Sequence, residues 1–335
     1  MKEIMIALAA SCTVAAAAAA NAGAAAAASN PVETLIEAPG PSGSLKGTML
    51  APAAGGGPAV LIIPGSGPTD RDGNSPAGIA AASYRLIAEG LAAHGVTSVR
   101  IDKRGMFGST AATPDANAVT INDYVTDVQA WSRVIRQRTK GNCVWLLGHS
   151  EGGLVAMAAA KNPDVCGLLL VAAPGRPLGE ILREQLKANP ANAPLLDQAL
   201  PAIDALEAGK RVDTSGMPAA LMGLFRPAVQ GFLISALSYN PIQLLAGYGK
   251  PVLILQGQRD RQVREADARA LKGADPAATL VLLPDVNHVL KSVASDDIRA
   301  NMATYGNAGL PLAPGVIESL VDFLNANAKG ASAKH

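Results

Sequence analysis

Residues Gly148-His149-Ser150-Glu151-Gly152 lie between an unbroken apolar run, Cys143-Val144-Trp145-Leu146-Leu147, and a small-residue stretch from Leu154 to Ala160. The first run reads as a buried strand and the second as a helix packed close to a sheet. A strand that passes into a helix through Gly-x-Ser-x-Gly carries its serine on a sharp bend, with the hydroxyl lifted clear of the backbone. Glycine on either side avoids Cβ collisions with neighbouring strands. The five-residue pattern is short enough to arise by chance, so the rest of the chain has to supply its partners.

A nucleophilic serine needs a base, and the base needs an acid to orient it. On a bend of this kind they follow in the order serine, acid, histidine, each just past the carboxyl end of a later strand. The apolar run 251–257 reads as such a strand and leads to Asp260. The run 279–283 reads as another and leads to His288, one of only four histidines in the chain. Asp285 stands closer in sequence but only three positions before the base, too near to reach round to its far ring nitrogen. After the strand that ends near Pro174 no carboxylate occurs before Glu180. His94 ends a helix, His149 occupies the variable position inside the bend, and both read as structural; His335 is in the tail. Stabilising a tetrahedral oxyanion takes two N–H donors. One is the backbone N–H of Glu151, at the helix start. The second is Ser66, by position, or Gly67, in the loop after the strand 59–63; Pro68 has no N–H to offer.

The chain resembles the α/β-hydrolases and is similar to bacterial serine carboxylesterases that carry Gly-Ser-Gly-Pro followed by Asp-Arg-Asp-Gly-Asn, here Gly65 to Pro68 and Asp70 to Asn74. Such enzymes also carry Asp-Lys-Arg-Gly, here Asp102 to Gly105, and Gly-His-Ser-Glu-Gly-Gly, here Gly148 to Gly153. The resemblance spans residues 32 to 328. It implies a mostly parallel eight-stranded sheet with helices on both faces, catalysis by Ser150, His288 and Asp260, and an ester substrate. Asp70, Arg71 and Asp72 are expected to brace the oxyanion loop. Where these enzymes usually have glycine after Arg104-Gly105-Met106, this chain has Phe107, a bulky residue expected to narrow the entrance.

The helical alternation between strands breaks between Pro174 and Pro251, a span far longer than a structureless loop of roughly 12–15 residues. Leu178, Ile181, Leu182 and Leu186 form one apolar helical face, and Leu196, Leu200 and Ile203 another. Leu221 to Leu237 is apolar nearly all round. The division expected is a core of 32–177 with 250–328, a helical cap of 178–249 and a flexible tail of 329–335. Met222, Phe225 and Phe232 either line an acyl pocket or hold the cap to the core. Arg176, just past a strand end, is a candidate to meet a substrate carboxylate.

Residues 1–22 read as an export signal: Lys2, an Ala-rich apolar stretch and the small-residue site Ala20-Asn21-Ala22. The expected location is therefore periplasmic or secreted, without a lipid anchor at Cys12. Removal of the signal leaves Cys143 and Cys166, at the starts of neighbouring strands, either as a disulfide or as two buried thiols. No Cys/His cluster has metal-ligand spacing and no glycine-rich loop has phosphate-binding form, so no metal or cofactor is expected. A net charge of +1 and the lack of a basic stripe argue against nucleic acid. No later run is long enough to span a membrane. The partner expected is a small-molecule ester. A peptidase or a thioesterase of the same fold is the near alternative, and a non-catalytic binding module the distant one.

Overall fold

A computed structural model of the chain describes residues 30–331. Its strands are β1 (Val32–Pro39), β2 (Ser44–Ala51), β3 (Ala59–Ile63), β4 (Thr97–Ile101), β5 (Val144–His149), β6 (Val165–Val171), β7 (Val252–Gly257) and β8 (Thr279–Leu283). They form one sheet in the order β1-β2-β4-β3-β5-β6-β7-β8. The β1–β2 and β2–β4 pairs are antiparallel and all others are parallel. Helix α1 (Ser83–Ala93) joins β3 to β4, α2 (Ile121–Thr139) joins β4 to β5, and α3 (Glu151–Ala159) joins β5 to β6.

Side chains of β3 alternate between two cores. Val60 and Ile62 pack with Tyr84, Ile87 and Leu91 of α1, while Leu61 and Ile63 pack with Val128 and Trp131 of α2 and Val155 of α3. Because helices cover both faces, β3 and β5 are buried from end to end, which is why they read as continuous apolar runs. Strand order reverses at β3, with β4 on one side and β5 on the other. The loops leaving the carboxyl ends of β3 and β5 diverge there, and a crevice opens between them.

Between β6 and β7 the chain forms α4 (Leu178–Ala188), α5 (Leu196–Glu207), α6 (Ala219–Phe225), α7 (Pro227–Leu237) and α8 (Pro241–Leu245). The apolar segment 221–237 is thus two helices, bent by 53°. Pro227 disfavours helical backbone at the residue before it, and Arg226 sits at φ −50°, ψ 144°. Ala199, Ile203, Leu206, Leu221, Phe225 and Leu233 give this insertion a core of its own. No single helix among the described residues is long and apolar enough to cross a membrane.

The remaining helices are α9 (Glu265–Ala274), α10 (Ile298–Ala303) and α11 (Val316–Ala331). Val316, Leu320 and Leu324 dock α11 on the sheet, and the helix continues three residues into the tail expected from 329. The export signal expected over residues 1–22, Cys12 and residues 332–335 lie outside the described residues. Cys143 and Cys166 are joined by a disulfide at the amino ends of β5 and β6, with Cα atoms 5.1 Å apart.

Candidate active site

At the end of β5 the chain turns into α3 through Ser150, whose φ of 54° and ψ of −126° place a non-glycine residue in a sparsely populated region. The turn is tight. A Cβ on Gly148 would lie 2.3 Å from the Gly152 carbonyl oxygen, and one on Gly152 would lie 2.2 Å from that of Ile63. The Ser150 N–H donates to the Val171 carbonyl at 3.0 Å, which fastens the bend to β6. Ser150 lines a cavity together with Ser66 and Gly67.

Asp260 and His288 come together from the loops after β7 and β8. His288 Nδ1 lies 2.7 Å from Asp260 Oδ2, with both side chains buried. The other carboxylate oxygen accepts from the N–H groups of Gln262 and Val263 at 2.7 and 2.9 Å, and Gln256 Nε2 approaches Oδ2 at 3.3 Å. Asp285, the nearer acid in sequence, is exposed and lies 3.7 Å from Arg259. Asn287 holds the His288 loop: its Oδ1 accepts from the Lys291 N–H at 3.0 Å, and its Nδ2 donates to Thr304 Oγ1 at 2.7 Å. Among the described residues Ser150 Oγ has no hydrogen bond to His288, a contact that commonly closes only when substrate is bound.

His149 ties three loops together. Tyr84 Oη accepts from the Gly65 N–H at 2.9 Å and donates to His149 Nδ1 at 2.9 Å; His149 Nε2–H then donates to the His288 carbonyl at 2.8 Å. The loop after β3 and the His288 loop are thereby joined through the variable residue of the bend. Burial, and then the nearby His288, hold the His149 imidazole neutral, with its pKa pushed down to about 3 from 6.5. The unfolded chain takes up this proton near 6.5 and the folded chain does not, so the stability contributed is full above that pH. Unfolding free energy is expected to fall as pH drops from 6.5 towards 3, and His149→Gln to flatten this dependence in denaturant titrations.

The loop after β3 is braced from both ends. Lys103 Nζ donates to the Gly65 carbonyl at 2.6 Å. Asp70 Oδ1 accepts from the N–H groups of Asp72 and Asn74 at 2.9 and 2.8 Å. Asp102 accepts from the Arg71 N–H at 2.9 Å, from its guanidinium, and from the Gly108 N–H at 3.0 Å. Asp72 is ion-paired with Arg100 of β4. Ser66 and Glu151 both line the cavity, and the Ser66 N–H has no backbone partner among the described residues.

The cavity is about 520 Å³, and its wall is mostly apolar. Leu178, Ile181, Leu224, Phe232 and Leu233 of the insertion close it over Ser150. Of the three aromatic and sulfur side chains expected there, only Phe232 lines it. Phe225 is fully buried in the insertion's own core, and Met222 is not among the residues of the wall. Phe107 does not line the cavity either. It is 40% exposed and starts a short 3-10 helix with φ at 44°, the left-handed conformation that favours glycine. Phe107→Gly is expected to stabilise the fold by about 1 kcal/mol without changing ester turnover, as chemical denaturation and kinetics would show.

Arg176 lines the cavity, but its guanidinium is engaged. It makes two bonds to Asp267, at 3.1 and 2.9 Å, and one to Glu184, and these partners raise its pKa further. Asp267 is almost wholly buried. Its role here is to fasten the loop after β6 to α9. Arg176→Ala is expected to cost about 3 kcal/mol by stranding that carboxylate, with equal rate changes on charged and neutral esters.

Among the described residues no three His, Cys, Asp or Glu side chains converge as metal ligands. The roles of Tyr84, Lys103, Asn287 and the bridging His149 were not expected: Tyr84 meets His149 across 65 residues, and the Asp-Lys-Arg-Gly motif does not show that Lys103 reaches Gly65, 38 residues away.

The chain belongs to the alpha/beta hydrolase family, whose pattern matches residues 59–297. It is similar to the esterase EstD of Thermotoga maritima, with 28% identity over 255 residues that make up 74% of this chain and 58% of the relative. The chain thus spans less than two thirds of that relative's length. Among solved structures it is similar to the alpha/beta hydrolase GrgF from Penicillium sp. sh18, with a TM-score of 0.57 and 19% identity, over 88% of this chain and 99% of that one. It is also similar to Est1E from Butyrivibrio proteoclasticus, with a TM-score of 0.54 and 16% identity, over 88% and 99%. These two likenesses concern the fold.

Proposed function

We propose that the chain is an exported serine carboxylesterase that cleaves small carboxylic esters of short to medium acyl length. The observation that carries this reading is the buried His288–Asp260 hydrogen bond, with the His288 carbonyl tied to His149, the residue before Ser150, and Ser150 itself lining a mostly apolar cavity. Ser150 Oγ attacks the acyl carbon while His288 Nε2 takes its proton. The tetrahedral oxyanion is held by the N–H groups of Glu151 and Ser66, with Gly67 the neighbouring donor. His288 then returns the proton to the leaving alcohol, and Asp260 stabilises the imidazolium formed between the two steps. Water attacks the acyl-enzyme by the same route and frees Ser150.

A cavity of about 520 Å³ suits a small molecule rather than a polymer. The similarity to an esterase of Thermotoga maritima supports the same chemistry. A disulfide suits an oxidising compartment, in keeping with an export signal over residues 1–22. The test is to treat the purified protein with a fluorophosphonate, locate the adduct by peptide mass, and measure p-nitrophenyl esters of graded acyl length. A single adduct on Ser150, with turnover falling beyond medium chain lengths, is the expected result. Turnover without an adduct on Ser150 would overturn the mechanism.

A further inference from the structure

Lys103 is a buried cation placed behind the candidate oxyanion site. Its side chain is 4% exposed and its ammonium lies over the Tyr124 ring, 5.5 Å from the centroid. Nζ donates to the Gly65 carbonyl at 2.6 Å and lies 3.6 Å from Glu151 Oε1. The Gly65 carbonyl and the Ser66 N–H belong to one planar amide. A charge-assisted hydrogen bond to that carbonyl draws electron density along the amide and strengthens the N–H at its other end as a donor. Glu151 has a matching arrangement, since its carboxylate faces Lys103 while its N–H is the other donor. A single ammonium therefore stands behind both.

We propose that Lys103 is a positioning residue that polarises the Gly65–Ser66 amide and orients it, together with Tyr84, so that the Ser66 N–H meets the oxyanion. The Tyr84 hydroxyl fixes the Gly65 N–H on one side and Lys103 fixes its carbonyl on the other, so this stretch of loop cannot rotate without breaking one of them. The interaction grows as negative charge develops on the substrate oxygen, so it acts on the transition state and not on the bound ester. Burial lowers the Lys103 pKa, and the neighbouring Glu151 carboxylate opposes that shift.

The test compares wild type with Lys103→Met and with the double variant Lys103→Met/Glu151→Gln. The double variant removes both charges and so leaves no stranded carboxylate. Each is assayed for kcat and KM on a p-nitrophenyl ester, and for inhibition by a trifluoromethyl ketone, which forms a tetrahedral oxyanion on the serine. A methyl ketone of the same shape, which does not, is the control. The expected result is a fall in kcat of about 30-fold, below the 100-fold or more for deleting a whole donor. The trifluoromethyl ketone should weaken by the same factor, with KM and methyl ketone binding within about threefold. Unchanged kcat and trifluoromethyl ketone affinity in the double variant would overturn the inference. So would equal weakening of both ketones, which marks a merely structural loss. The inference rests on the serine-esterase reading, and fluorophosphonate labelling of wild type separates the two failures. No label on wild-type Ser150 overturns that reading, whereas a labelled wild type with unmoved variant constants overturns the Lys103 inference alone.

Discussion

Replacing Ser150 by alanine is expected to lower kcat about a million-fold and to abolish fluorophosphonate labelling, with the unfolding midpoint unchanged. Alanine keeps the same Cβ, so the backbone at φ 54° is no better relieved than before. Ser150→Gly separates the two roles of the position. It loses the same activity yet gains stability, by about 1–2 kcal/mol for one residue held in the left-handed region. Thermal denaturation of the three proteins side by side measures this. If the glycine variant were no more stable than wild type, the bend would hold no strain worth the name. If the alanine variant kept ester turnover, Ser150 would not be the nucleophile.

Asp260→Asn is the second large effect, a loss of about ten-thousand-fold in kcat in a protein that still folds. The two backbone N–H groups of Gln262 and Val263 hold one oxygen of the side chain in place, so the asparagine carbonyl takes that position. Its amide nitrogen then faces His288 Nδ1 and must donate to it. The imidazole proton moves to Nε2, the atom that has to accept from the serine. Activity should recover in part at high pH if hydroxide begins to do the work of the base. A variant within tenfold of wild type would place the orienting role elsewhere, with Asp285 the first residue to test.

The serine turn, the acid and the histidine were legible because each is a local event: an apolar run that ends, a bend, and a polar residue just beyond it. Such signals survive without knowledge of the fold. The brace was not legible, because Tyr84 meets His149 across 65 residues and Lys103 meets Gly65 across 38. Only the strand order, with its reversal at β3, brings those pairs together. The wall residues of the insertion were hidden for a different reason. A segment apolar on every side does not reveal which face points inward, so Met222 and Phe225 were indistinguishable from Phe232. Phe107 was noticed as a bulky residue in place of glycine, but its backbone conformation and not its bulk is what the position resists. Arg176 was read as a candidate to meet a substrate carboxylate because sequence cannot show that Asp267, 91 residues on, already binds its guanidinium.

The disulfide lies at the opposite end of the sheet from Ser150, yet the 23-residue separation between its cysteines brackets β5, the serine turn and α3. The serine turn, with its positive φ at Ser150, thus sits inside a covalently closed ring. Closing a ring of that size restricts the unfolded chain by about 3 kcal/mol, and it does so for the very segment that must bend most sharply. A peptide-bond cut within 144–165 would leave both halves tethered to each other. Ser150 and the strand that carries it would then stay registered to β6 even in a nicked molecule.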